Sequence, residues 1–298
     1  MAVKNTLAPA AKKPSRFPEI IKSETVQRNL IGTLGDATKT KRFTASVISA
    51  VSANPSLQEC QATTIISAAL LGESLNLSPS PQLGHYYMVP FKDNKTGVTN
   101  ATFQLGYKGY IQLAIRSGQY KKLNVLAIKE GELIKYNPLD ETIEVRLIQD
   151  ETAREKTPTI GYYAMFELIN GFRKTMYWSK EKMEEHALKY SSGYKAKKGY
   201  TFWEKDFDGM AYKTMLRQLI SKWGIMSIDL QNAISNDYSY HETLEQEEAP
   251  KYVDEGTGEI IDVNVSEPGM VNNPSTPETA EIGPDLPSDE DAPSESLF

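Results

Sequence analysis

The hydrophobic period of this chain changes at Ser78-Pro79-Ser80-Pro81, and that change restricts the fold more than any other feature. Before it, apolar residues recur every three to four positions. Val26, Leu30, Ile31 and Leu34 form one helical face; Phe43, Val47, Ile48 and Val51 form a second. A third helical pattern runs from Leu57 to about Leu75. Two prolines then remove backbone donors and stop the helix. After them the period drops to two. His85–Phe91 and 98–105 flank the polar turn 92–97 and read as a hairpin. Leu123–Ile134, Thr142–Ile148 and Thr159–Ile169 continue the strand signal, and Asn170-Gly171 is a two-residue turn into Phe172–Trp178. Helical spacing returns over 179–190, with Ser179 as cap, and over 203–223. Helices, then strands, then helices predict an α+β protein, with a mostly antiparallel sheet of β-hairpins packed against helices.

Charge divides the chain a second time. Residues 1–230 hold 32 Lys+Arg against 22 Asp+Glu, a net of +10, whereas residues 231–298 hold one Lys against 17 Asp+Glu, a net of −16. A basic body favours polyanions through counterion release. The acidic stretch, rich in Pro, Glu, Asp and Ser, has too little apolar surface to offset its ordering entropy. Three segments are expected: a flexible basic arm over 1–22, a folded core over 23–237, and a disordered acidic tail over 238–298. Treated as a flexible chain, the 68 residues of the acidic stretch 231–298 would span about 45 Å root-mean-square, enough to reach the basic face. The tail is expected to compete for that face, to recruit partners or only to solubilise. No apolar run reaches the roughly 18 residues of a spanning helix, and the first 20 residues lack a signal-peptide core. A single cysteine, Cys60, excludes an intramolecular disulfide framework and a Cys-rich zinc site. Cytoplasm is the expected compartment.

The candidate site is cationic. Read as a helix, Tyr107 to Ser117 places Lys108, Gln112 and Arg116 on one polar stripe at a spacing of four. Tyr107, Ile111, Ala114 and Ile115 form the face expected to be buried, with Tyr107 at the boundary between core and stripe. Gly118 marks the helix stop, and Lys121 and Lys122 follow it. A second stripe, Lys213, Arg217 and Ser221, lies on the long helix opposite Tyr212, Leu216, Leu219, Ile220 and Trp223. Between them a glycine-flanked loop carries Lys195, Lys197 and Lys198. Long cations beside tyrosines suit a phosphate backbone with stackable bases, although a merely solvated face has the same spacing.

The chemistry of covalent catalysis is harder to find. No GxxxxGK[ST] and no GxGxxG opening a helix occurs, so no Walker-type ATP site is expected. None of His85, His186 and His241 stands in a GxSxG or HExxH setting. Glu204, Asp206 and Asp208 could hold magnesium for a nuclease. They also fit charge complementarity at a helix start, which is the favoured reading.

At this point the residues resemble a known family. SPSPQLGHYYMVPF (78–91) followed by FQLGYKGYIQLAIRSGQY (103–120) resembles the hallmark core of the RecT family of phage single-strand annealing proteins. WEKDFDGMAYKTMLRQLISKWG (203–224) is similar to that family's second block. The resemblance covers roughly 25–235. It implies single-stranded DNA binding and annealing to a complementary strand in homologous recombination, without ATP and without covalent chemistry. It also implies assembly into rings or helical filaments, a cognate exonuclease and a host single-strand binding protein as partners, and no membrane. No cofactor is implied; Mg2+ is expected to modulate DNA binding without a defined site. Carried over residue by residue, Gln104, Tyr107, Lys108 and Arg116 in the first block and Lys213 and Arg217 in the second become expected DNA contacts. The alternative is a passive single-stranded DNA-binding protein without annealing activity.

Overall fold

The computed structural model describes residues 17–93, 95–199, 201–242, 244, 250–253 and 260–261. The helical first third holds α1 (Phe17–Ile21), α2 (Glu24–Leu34), α3 (Ala37–Ala53), a 3-10 turn (Pro55–Glu59) and α4 (Ala62–Ser74). The central part holds β1 (Tyr86–Lys92), β2 (Thr99–Leu105), α5 (Tyr107–Arg116), β3 (Tyr120–Lys129), β4 (Leu133–Asn137) and β5 (Thr142–Val145). It continues through α6 (Glu151–Lys156), β6 (Thr159–Leu168) and β7 (Arg173–Ser179). The last part holds α7 (Lys180–Tyr190), α8 (Ser192–Lys195), α9 (Phe202–Lys205), α10 (Phe207–Trp223) and α11 (Ile228–Ser235), then β8 (Ser239–Tyr240), β9 (Lys251–Val253) and β10 (Ile260–Ile261). The class is α+β, and every strand pair is antiparallel.

Three sheets form, in the orders β1-β2-β8-β9-β10, β3-β6-β7 and β4-β5. Two apolar cores support them. The first joins α1–α4 to β1 and β2 through Ile21, Val47, Ile65, Ile66, Tyr86 and Phe103. The second packs α7, α9 and α10 on β6 through Tyr162, Phe166, Met183, Trp203 and Met215. Helix α10 serves both: Leu216 and Ile220 enter the first core, whereas Ala211, Met215 and Leu219 enter the second. That three-to-four spacing on both flanks is why its interior is almost entirely buried.

Four features depart from the sequence reading, each for a local reason. The helix expected from Leu57 breaks at Cys60-Gln61, where the Gln61 amide donates to Thr99 O at 2.9 Å and ties the break to β2. Burial there pushes the Cys60 thiol up to about 12, so it stays protonated. The strand expected over 123–134 ends at Lys129 because Gly131 takes φ 82° and turns the chain into β4. The helix expected from Trp203 is interrupted at Asp206, whose side chain caps α10 by accepting from Gly209 N at 3.0 Å. The charged run near Glu151, read as a break, is α6 with Asp150 as its cap.

The segment boundaries also move. The arm expected to run through residue 22 contains α1, whose Phe17 and Ile21 are buried against α4. The tail expected from 238 begins with core: Ser239 and Tyr240 are buried, and β9 pairs with β8. The remaining arm, residues 1–16, and the tail beyond 261 lie outside the described residues.

Candidate nucleic-acid interface

The site grows from a close backbone approach. Gly106 caps α5, and its amide donates to His85 O at 2.9 Å where the β1–β2 ladder ends. A Cβ on Gly106 would sit 2.2 Å from Gly84 O, and one on Gly109 would sit 2.1 Å from His85 O. Only glycine lets the helix start lie flat on the segment before β1. The same approach lays the Lys108 stem beside Gly84 and the Tyr87 ring beside Gly106.

A groove of about 170 Å3 opens there, walled on one side by Tyr87, Gln104 and Tyr107 and on the other by Phe202, Lys205 and Met210. The Tyr87 and Phe202 rings lie 5.5 Å apart, and Tyr107 meets Tyr212 edge-on at 5.5 Å. Phe202 is exposed, and Tyr87 and Tyr107 are half-buried. Their bodies are held by packing while one face stays reachable, which is the arrangement that base stacking needs. Lys108 is exposed, with Nζ 5.9 Å from the Tyr107 ring centre, and Lys205 is exposed on the far rim.

The floor of the groove corrects one expectation. Lys213 lines it but is only 6% exposed, and its Nζ lies 3.1 Å from the Asp237 carboxylate. Asp237 also accepts from Arg217 at 3.1 Å and from Leu105 N at 2.9 Å. Lys213 further donates to Tyr238 Oη at 3.2 Å and stands 4.3 Å over that ring. Lys213 of the second cationic stripe is thus part of an internal junction, whereas the Arg217 side chain stays 37% exposed. Asp237, from a segment the sequence reading assigned to the end of the core, sets one buried negative charge against these two cations.

Residues 41–254 match the model of the RecT family. The chain belongs to the RecT family. It is 39% identical over 271 residues to the uncharacterised protein YqaK of Bacillus subtilis, a match covering 91% of this chain and 87% of the relative. It is 30% identical over 233 residues to protein RecT of Escherichia coli, covering 77% and 83%. Among the described residues no helix is long and apolar enough to cross a membrane.

In this RecT-family chain the other expected residues fall into three groups. Gln104 and Tyr107 line the groove, and Lys108, beside the Tyr107 ring, begins the exposed stripe that Gln112 and Arg116 extend along α5. Arg116 donates to Gln112 O and to Asn76 O, both at 3.3 Å, so its guanidinium spans from α5 to the loop after α4. Lys121 and Lys122 are exposed but share Glu167, at 2.6 and 3.6 Å. Hydrogen bonding from Lys121 lowers the Glu167 pKa. Lys195 is exposed at the end of α8, and Lys197 and Lys198 are exposed on the turn that follows. That turn leads into α9 and so into Phe202, with Gly199 N donating to Glu204 at 2.8 Å.

Ala114 is buried as expected, but Ile115, also expected in the core, is 58% exposed; Tyr110 and Leu113 are buried instead, because Gly109 presses that side of α5 onto β1. Tyr87, Phe202 and Lys205 escaped the sequence reading. Tyr87 shares the alternation of a strand with Tyr86, which is buried, and the period alone does not separate a stacking ring from a core ring. The acidic trio is divided among structural tasks. Glu204 completes a capping box with Thr201, Asp206 caps α10, and Asp208 accepts from Tyr162 Oη at 2.6 Å. Among the described residues no group of three His, Cys, Asp or Glu is placed to hold a metal ion.

Proposed function

We propose that the chain binds single-stranded DNA through the Tyr87–Tyr107–Phe202 groove and the Lys108–Gln112–Arg116 stripe, and that it anneals the bound strand to its complement without ATP. The observation that carries this reading is the convergence of three partly exposed rings and the exposed Lys205 in one groove of a RecT-family chain, beside the exposed cations of α5. Duplex formation is downhill, with stacking worth roughly 1.4 kcal/mol per step, so no nucleotide hydrolysis is required. Two polyanions meeting in register form the barrier. Cations on α5 lower the repulsion, and rings that stack some bases hold a strand free of its own secondary structure.

The same reading has the chain act as a ring or helical filament in the cytoplasm of a bacterial host. A cognate exonuclease exposes the strand, and a host single-strand binding protein hands it over. Mg2+ screens phosphates without a dedicated site. Membership of the RecT family supports the single-strand binding and the assembly.

Two measurements test the proposal. Complementary strands should pair faster with the protein than without it, in the absence of nucleotide. Binding with no gain in rate would make it a passive single-strand binder. Lys108→Ala with Arg116→Ala should weaken binding and flatten its salt dependence by roughly 0.7 in log–log slope per lost phosphate contact. Normal binding and annealing by that double variant would remove the stripe from the site.

A further inference from the structure

A second and larger groove, of about 680 Å3, lies between α3 and the loop after α4. Lys39, Arg42 and Ser46 present cations and a hydroxyl from α3, and Asn76, Ser78 and His85 face them from the loop side. The α5 stripe connects the two grooves. At its start Lys108 lies beside Gly84, three residues before the aromatic groove's Tyr87. At its end Arg116 reaches Asn76, on the rim of the larger groove. From residue 108 to residue 116 the helix rises about 12 Å. His85 lines the larger groove, and burial, then the charges of Arg116 and Lys108, lower its pKa.

The larger groove's two acids, Asp36 and Glu73, equal its two α3 cations in number, so its positive excess comes from Arg116 at the rim. Asp36 is turned to the start of α3, where it accepts from Thr38 N at 3.1 Å and Lys39 N at 2.9 Å. Glu73 pairs with Lys39 at 3.5 Å across an open surface, with the two side chains 30% and 50% exposed. An exposed pair of this kind is worth about 0–1 kcal/mol, so Lys39 can exchange Glu73 for a phosphate at little cost. Arg42 is exposed on the same face of α3. The larger groove has no aromatic pair comparable to Tyr87 and Phe202. Its chemistry of guanidinium, ammonium, hydroxyl and amide suits backbone rather than bases.

We propose that the α3–α4 groove is a phosphate-binding segment of the same single-strand track, so that one strand stacks its bases at Tyr87 and Phe202, crosses Lys108 and Arg116, and lays its backbone on Lys39 and Arg42. This rests on the single-strand reading above. It adds a length to the site and a direction along α5.

The test is binding of oligothymidylates of about 4 and about 16 nucleotides, the range a single module covers. At about 0.1 M salt each single-strand phosphate contact is worth roughly 0.7 log units, so Lys39→Ala with Arg42→Ala should cost the long oligomer about 25-fold. Its salt slope should fall by roughly 1.4, and the short oligomer should bind as before. Lys39→Arg with Arg42→Lys, which keeps both charges, should restore the long-oligomer affinity. Tyr87→Leu with Phe202→Leu should weaken both lengths. Unchanged long-oligomer binding by the alanine variant overturns the track. So does an equal loss at both lengths, or a loss of annealing rate alone, which would assign the groove to the second strand. If wild-type protein binds neither length, or if the Tyr87/Phe202 and Lys108/Arg116 variants bind both normally, the single-strand reading itself fails.

Discussion

A methyl group is enough to separate α5 from β1. Gly109→Ala would place a carbon 2.1 Å from His85 O and 2.8 Å from the Leu105 side chain. Alanine favours a helix by about 1 kcal/mol over glycine, but overpacking costs about 1–3 kcal/mol, and here one neighbour is backbone that cannot rotate away. We expect net destabilisation in urea titrations, with single-strand affinity falling alongside, because Tyr107 and Lys108 ride on the displaced turn. A second residue-scale effect is the response to acid. His186 lies among Tyr190, Trp178 and Trp203 at 4.5, 5.6 and 6.3 Å. Burial, aided by Arg217 and Lys189, lowers its pKa from 6.5 to about 4. The folded state therefore favours the neutral ring. This contribution is complete above about pH 6.5 and is lost as pH falls toward 4. Urea midpoints should decline across that window, and His186→Phe should remove most of the decline, leaving the smaller share of His85, whose pKa is also lowered.

Elements were legible where one period dominated. The β1–β2 hairpin, β6–β7 with its Asn170-Gly171 turn, and α5 and α7 stand close to where alternation and capping residues place them. The limits of that reading are physical. Amphipathic spacing locates a helix but fixes the phase of its buried face only within a residue or so, which is how Ile115 came to be exposed and Tyr110 buried. Lys213 and Arg217 show the same limit in charge. Their spacing of four matched a solvent stripe, yet a carboxylate 24 residues beyond Lys213 supplies their counter-charge. Partners that distant in sequence leave no periodic trace. Glu132 is a further case. Its carboxylate is fully buried and accepts from Lys129 N at 2.8 Å, Ile148 N at 3.1 Å and Arg154 Nε at 2.6 Å. Arg154 in turn donates to Ala127 O at 2.7 Å, so one ion pair fastens α6 to β3 and to the chain leaving β5. Arg154→Ala would strand a buried charge and should cost about 3–5 kcal/mol in a denaturant titration.

At the scale of the whole molecule, the two cores share α10, and the groove opens at the end where that helix begins. The segment beyond residue 261 carries nine Asp and Glu and no Lys or Arg. Its charge opposes that of a DNA-binding face, and electrostatic competition is screened by salt. Removing residues 262–298 should leave single-strand affinity unchanged or raise it, with any gain fading as salt increases. A large loss, read by fluorescence anisotropy, would instead make the segment part of the assembly.

The Asp237 junction decides where such a chain can be shortened. Leu105, at the end of β2, and Lys213 and Arg217, on α10, are all fastened by one carboxylate, and Tyr238, just beyond it, donates its amide to Phe103 O at 2.8 Å. Tyr238 holds φ 68°, a left-handed conformation that an aromatic residue adopts only when its neighbours enforce it. A ladder of stop codons walked inward from the acidic end should therefore pass over many dispensable positions and then meet a cliff near residue 240. The loss there would look like the removal of a DNA contact. It would be the opening of a latch, with the two walls of the groove released from each other while every ring of the groove and every stripe cation remained in the polypeptide.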